Sequence, residues 1–159
     1  MTISTRLNEY LDKNNIAYKT VPHFHSTGSI STAVASSIHP KNIAKAVLLV
    51  DHDGHKVMAV LPADKKICIS TLNEKFNASY QLIKEKDIYN LFADCDEGAI
   101  PPVGGAFNIT VVCDDLLDTL DGVYIEAGDH QTLLQVDHEA FKSIMANAKH
   151  ARFSEEMLH

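Results

Sequence analysis

Apolar positions recur along this chain at two spacings, one helical and one extended. Ile3, Leu7, Tyr10 and Leu11 fall on a single helical stripe, which Asn14-Asn15 would end. Residues 18–21 read as a short strand closed by Pro22. A polar, glycine-containing loop and a small helix over 32–37 follow, and His39-Pro40 stops that helix. Residues 46–50 and 57–61 are apolar runs around Asp53-Gly54, a dipeptide suited to a tight hairpin turn. Their hydrophobicity is continuous rather than alternating, which predicts central strands covered on both faces.

The second half repeats the mixture. Thr71-x-x-Glu74 has the form of a capping box opening a helix to about Asn77. Residues 80–83 suggest a brief strand, and Ile88, Leu91 and Phe92 mark a helix running out at Asp94. Residues 109–113 form a β-branched strand, and 123–127 with 132–136 form a second hairpin around Gly128-Asp129. Asp137 is placed to cap a helix with Phe141, Ile144, Met145 and Ala148 on one face. The pattern then fades, so residues 1–150 are expected to form the domain and 151–159 a frayed tail. No repeat, low-complexity tract or linker divides the chain. The expectation is a single α+β domain with a mixed, mostly antiparallel sheet and flanking helices.

One stretch fits neither spacing. Gly98-Ala99-Ile100-Pro101-Pro102-Val103-Gly104-Gly105 alternates residues that free the backbone with residues that fix φ and remove N–H donors. A loop so shaped can turn backbone N–H groups toward one ligand oxygen, as in an oxyanion hole. It can equally be a rigid strand connection whose glycines serve close packing.

Composition narrows the partners. With 159 residues, 45% of them hydrophobic, the chain can build one continuous core. No apolar run approaches the roughly 18–20 residues of a membrane span, and the first residues lack a signal-peptide apolar region. Fourteen basic against 21 acidic residues give a net charge of -7, which argues against gripping DNA or long RNA through phosphates. Touching a single nucleic-acid terminus with a few lysines is still open. Cys68, Cys95 and Cys113 are too widely spaced for a zinc knuckle or a disulfide framework, so a reducing cytoplasm is the expected compartment.

Most catalytic signatures are missing. His23-x-His25 and His52-x-x-His55 are short-spaced pairs, but no third ligand is fixed by spacing, so no metal or other cofactor is expected. Neither a Gly-x-Ser-x-Gly elbow nor a phosphate-binding or dinucleotide glycine motif occurs. Lys45 opens an apolar strand, where it could meet a phosphate or carboxylate or simply be solvated. His130 follows Gly128-Asp129 and could border a pocket or sit on the surface.

The order of three weak signals is more informative. Asn42-Ile43-Ala44-Lys45-Ala46-Val47-Leu48-Leu49-Val50, then Gly98-Ala99-Ile100-Pro101-Pro102-Val103-Gly104, then Gly128-Asp129-His130-Gln131-Thr132-Leu133-Leu134 resemble the YbaK/prolyl-tRNA synthetase editing-domain family. The resemblance spans nearly the whole chain. It implies a YbaK-like fold and a freestanding deacylase that hydrolyses the ester of mischarged tRNA. Its partner would be the aminoacyl-tRNA 3′ end, with a synthetase as a candidate second partner. Lys45 would sit near the terminal phosphate, and Gly98, Ala99 and Ile100 would present backbone groups to the ester, with Pro102 fixing the loop. His130, Val103 and Gly104 would line the aminoacyl side. Where the family loop often continues Pro-Phe-Gly or Pro-Leu-Gly, this chain has Pro102-Val103-Gly104, which bears on amino acid specificity. No dedicated general base is evident, so the substrate's own amine or ribose hydroxyl could assist the water. The rivals are a non-catalytic module binding tRNA ends or a synthetase, and a small-molecule binder using the loop as an anion nest.

Overall fold

A computed structural model of the chain describes residues 3–23, 32–33, 37–96 and 99–157. The first helix, α1 (Thr5–Lys13), starts where the Ser4 hydroxyl accepts the Leu7 N–H, and it buries Leu7 and Leu11. After β1 (Lys19–Pro22) come the long strands β2 (Ile43–Val50) and β3 (Lys56–Pro62), then β4 (Lys65–Ile67). Helix α2 (Ile69–Phe76), strand β5 (Gln81–Leu82) and helix α3 (Glu85–Leu91) follow. The chain continues with β6 (Thr110–Asp114), β7 (Gly122–Glu126), β8 (Thr132–Asp137), α4 (His138–Ile144), β9 (Lys149–Ala151) and β10 (Ser154–Glu156).

Eight strands form one sheet in the order β1-β8-β7-β2-β3-β6-β9, with β5 alongside β2. The pairs β7–β2, β3–β6 and β6–β9 are parallel and the others antiparallel, so the sheet is mixed as expected. Strands β2 and β3 lie in its middle, which is why their apolar runs do not alternate.

The pleat sends alternate residues to two cores. Ala44, Leu48, Met58, Val60, Val123 and Ile125 face the larger core, which α1 and α4 close with Leu7, Leu11, Phe141 and Ile144. Leu49, Ala59 and Leu61 face the opposite side, under Leu72 of α2 and Phe153. On that same second side Ile43 packs with Ala33, Ala63 and Leu133.

Three expectations need correcting. Asp53-Gly54 does not make a two-residue turn. The connection is a wider loop in which Asp51 accepts the Asp53 and His55 N–H groups, and only Gly54 takes positive φ. Helix α2 begins before Thr71, with Cys68 at its N-cap; the Thr71 hydroxyl donates to the Cys68 sulfur instead of capping. Of the expected frayed tail, residues 151–156 are ordered, and 158–159 lie outside the described residues. β9 pairs with β6, β10 pairs with β4, and Phe153 is 1% exposed. Buried Asp114 holds this segment, its Oδ2 accepting the N–H groups of Phe153 at 3.0 Å and Ser154 at 2.9 Å. Of the small helix expected over 32–37, Thr32 and Ala33 are helical and residues 34–36 lie outside the described residues.

Candidate functional site

Strand β2 places Lys45 at the centre of the sheet, opposite Leu61 of β3 and on the face away from the larger core. The side chain is half-buried, and burial lowers its pKa against a partial counter-effect from the Asp64 carboxylate. No carboxylate lies within ion-pair distance of its ammonium among the described residues. The Asp64 Oδ2 is engaged by Lys65 at 3.1 Å. Lys45 is therefore a cation held partly out of water with no ion-pair partner among the described residues.

On its other edge β2 runs parallel to β7, with Ile43 beside Tyr124 and Ala44 beside Ile125. One step further along the same register, Lys45 neighbours Glu126, on the same face. Glu126 is 6% exposed, and burial raises its carboxyl to about 7, with nearby Asp129 adding to the rise and a Thr32 hydrogen bond opposing it. Glu126 Oε1 accepts from Thr32 Oγ1 at 3.1 Å, and Oε2 is buried without a hydrogen-bond partner among the described residues. Sequence reasoning missed this residue. The signal was present, because a lone carboxylate interrupts the apolar run 123–127.

The hairpin after Glu126 is built by Asp129. Its Oδ1 accepts the Gln131 and Thr132 N–H groups at 3.0 Å and 2.9 Å, and its Oδ2 accepts the Thr132 hydroxyl at 3.0 Å. Gly128 and His130 both take positive φ, at 110° and 59°. His130 is 5% exposed, so it is an interior residue of the turn and not a surface histidine. A Cβ on Gly128 would come within 3.2 Å of Ser4 Cβ and 3.5 Å of Cys95 Sγ.

This hairpin anchors the proline loop. The Asp96 N–H donates to the Gly128 carbonyl at 2.7 Å, two residues before Gly98. Gly98 itself lies outside the described residues. The Ala99 N–H donates to the Asp96 carbonyl at 3.1 Å, so that amide is already engaged. Pro101 and Pro102, both buried, carry no N–H, which leaves Ile100 as the unengaged amide in the stretch 99–102.

Val103 and Gly104 have packing reasons for being where they are. The Val103 side chain is fully buried in the larger core, on the face opposite Lys45. A Cβ on Gly104 would overlap Val111 Cγ2 and stand 2.5 Å from the Ile109 carbonyl oxygen, so glycine is dictated by the approach of β6. The structure thus brings Lys45, Glu126 and the His130 hairpin to one region of sheet, with the start of the proline loop tied to it.

Among the described residues His52 and His55 gather no third histidine or cysteine. His55 pairs with Asp51 at 3.2 Å and His52 with Asp53 at 3.4 Å, all in the exposed β2–β3 loop, and His25 lies outside the described residues. Two groups among the described residues could each offer three ligand atoms, Asp51/Asp53/His55 and Cys113/Asp118/His150. Neither is at the Lys45 site: the first is at the far end of β2, and buried Cys113 belongs to the larger core. Burial also pushes the Cys113 thiol far up, which keeps it protonated. No described helix is long and apolar enough to cross a membrane.

Solved structures share the architecture. The crystal structure of "hypothetical protein APE2540" superposes with a TM-score of 0.82 at 22% identity, over 94% of this chain and 99% of that one. That of "a putative trans-editing enzyme for prolyl tRNA synthetase" gives 0.81 at 17% identity, over 96% of each chain. That of "a Putative signal transduction protein" from Marinobacter aquaeolei VT8 gives 0.77 at 18% identity; 98% of this chain matches 31% of that larger one. At these identities the likeness establishes the fold. No curated protein matches the sequence. The sequence profile of the aminoacyl-tRNA editing domain matches residues 25–144, spanning the Lys45 strand, the proline loop and the His130 hairpin. The chain belongs to the aminoacyl-tRNA editing domain family, the one its three motifs resemble.

Proposed function

We propose that the protein is a freestanding aminoacyl-tRNA deacylase that hydrolyses the ester of mischarged tRNA in the cytoplasm. The observation that carries this reading is Lys45: a half-buried ammonium, unpaired among the described residues, on the strand beside the His130 hairpin. A partly desolvated cation without a fixed partner suits a phosphate brought by a ligand. The acidic net charge of -7 is compatible, because only the single-stranded 3′ end need enter.

Water adds to the acyl carbon, the carbonyl oxygen takes up negative charge, and the bond to the ribose oxygen then breaks. The water's proton passes to that ribose oxygen, releasing free amino acid and uncharged tRNA. The amides of Gly98 and Ile100 are the donors assigned to the developing oxyanion, each worth about 3–4 kcal/mol when preorganised. Ala99, whose amide is engaged internally, acts through the loop's shape, and Pro102 stiffens it. His130 borders the aminoacyl side. The substrate's own ribose hydroxyl or amine supplies the base.

The test is turnover of a panel of mischarged tRNAs by the purified protein. Release of amino acid in proportion to enzyme supports the reading. Saturable binding of tRNA ends without release would favour the non-catalytic module.

A further inference from the structure

Among the described residues two carboxylates have a buried oxygen that meets no donor, Asp64 at Oδ1 and Glu126 at Oε2; Asp64 has Lys65 paired to its other oxygen, whereas no cation pairs with Glu126. Glu126 is buried, Thr32 Oγ1 satisfies its Oε1, and its Oε2 meets no donor among the described residues. An unmet buried carboxylate oxygen is costly, and a leucine at this position would avoid the cost. Resting on the deacylase reading, we propose that Glu126 receives the α-ammonium group of the aminoacyl ester, so that the site selects acyl groups bearing a free amine.

Charge complementarity is the main argument. The 3′ end of an aminoacyl-tRNA carries a phosphate on one side of the terminal ribose and an ammonium beyond the ester. The sheet offers a matching pair of poles. Lys45 and Glu126 hold neighbouring register positions on one face, yet no ion pair joins them. Glu126 turns to Thr32, while the carboxylate that Lys45 senses is Asp64. Opposite charges that are adjacent and do not neutralise each other suit the two ends of one ligand. Among the described residues the charged group that acts on Glu126 is Asp129 of the hairpin. Asp129 is committed to the Gln131 and Thr132 N–H groups and the Thr132 hydroxyl, so it does not compete for the ammonium.

The protonation state fits. Burial puts the Glu126 carboxyl at about 7, so this group is part protonated near neutrality. An incoming ammonium would favour the ionised form and expel the proton.

Binding, not turnover, is the sharper test. The hydrolysis-resistant amide 3′-alanylamino-3′-deoxyadenosine 5′-phosphate is titrated calorimetrically against its propionyl counterpart, which lacks only the amine. Wild-type protein is expected to bind the alanyl form roughly 10- to 100-fold more tightly. Glu126→Gln should erase that preference, while removal of the 5′-phosphate should weaken variant and wild type by the same factor. Equal binding of both amides by wild type overturns this inference alone, and so does a Glu126→Gln protein that keeps the preference. Failure of both amides to bind overturns this inference together with the deacylase reading. A general-base role for Glu126 would leave the preference intact, so that outcome also counts against the proposal. The wild-type comparison stands even if the variant does not fold.

Discussion

Lys45 and Glu126 stand side by side, one step beyond the last registered pairs of the parallel β2–β7 ladder, and do not pair with each other. Strands in a sheet lie about 4.8 Å apart, so the two backbones are close, yet Glu126 accepts from Thr32 and the carboxylate acting on Lys45 is Asp64. The face thus carries two ionisable groups that no ion pair joins, and most of the expected behaviour of the site follows from it.

The first prediction concerns Lys45. Lys45→Ala should depress deacylation at least tenfold, on the order of 1.4 kcal/mol of transition-state stabilisation. The thermal midpoint should hold or rise, because burial disfavours the ammonium in the empty site. Activity retained within a factor of about two, on the order of 0.4 kcal/mol, would remove Lys45 from the mechanism.

Glu126 should leave a signature in stability against pH. Its folded value of about 7 lies above that of an exposed glutamate, so the folded state binds this proton more tightly. The contribution is fully present below about pH 4.5 and is lost as pH rises through 7. Across that window wild type should lose up to about 3 kcal/mol relative to Glu126→Gln. Denaturant titrations of both proteins at pH 5 and pH 8 measure the difference. Parallel curves would show that Glu126 is not held in a desolvated site.

Gly104 separates packing from substrate contact. Gly104→Ala forces a Cβ against the Ile109 carbonyl and Val111, and backbone cannot yield cheaply. A loss of about 1–3 kcal/mol is expected from overpacking. Activity per folded molecule should stay near the parent value at a temperature where the variant is fully folded. An unchanged midpoint with lost activity would instead return Gly104 to the substrate pocket.

The C-terminal segment gives a fourth prediction. Phe153→Ala should cost about 3–5 kcal/mol, as for other fully buried aromatics. Deleting the chain from residue 152 onward should cost at least as much, because Asp114 would then lose both amides it accepts. A truncated protein as stable as the parent would show that Phe153 and β10 contribute nothing.

These tests also mark where the sequence was readable. The apolar runs of β2 and β3 predicted central strands because both faces of each strand are covered. Asp137 was readable as a cap because capping is local: its side chain accepts the Ala140 N–H at 2.8 Å. The tail was misread because its order depends on Asp114, forty residues upstream of Ser154, and strands of three residues carry no periodicity. Lys45, the proline loop and His130 stood out as motifs, whereas Glu126 did not. Its place in the site depends on the parallel pairing of β7 with β2, which no local pattern encodes.

The central claim is ester hydrolysis on tRNA, and the most direct measurement is the rate of amino acid release from a complete panel of mischarged tRNAs. The account predicts that at least one member is deacylated in proportion to wild-type protein, well above its spontaneous rate, and that Lys45→Ala abolishes most of that excess. A panel that stays charged in the presence of folded protein, each member decaying at its spontaneous rate, would contradict it.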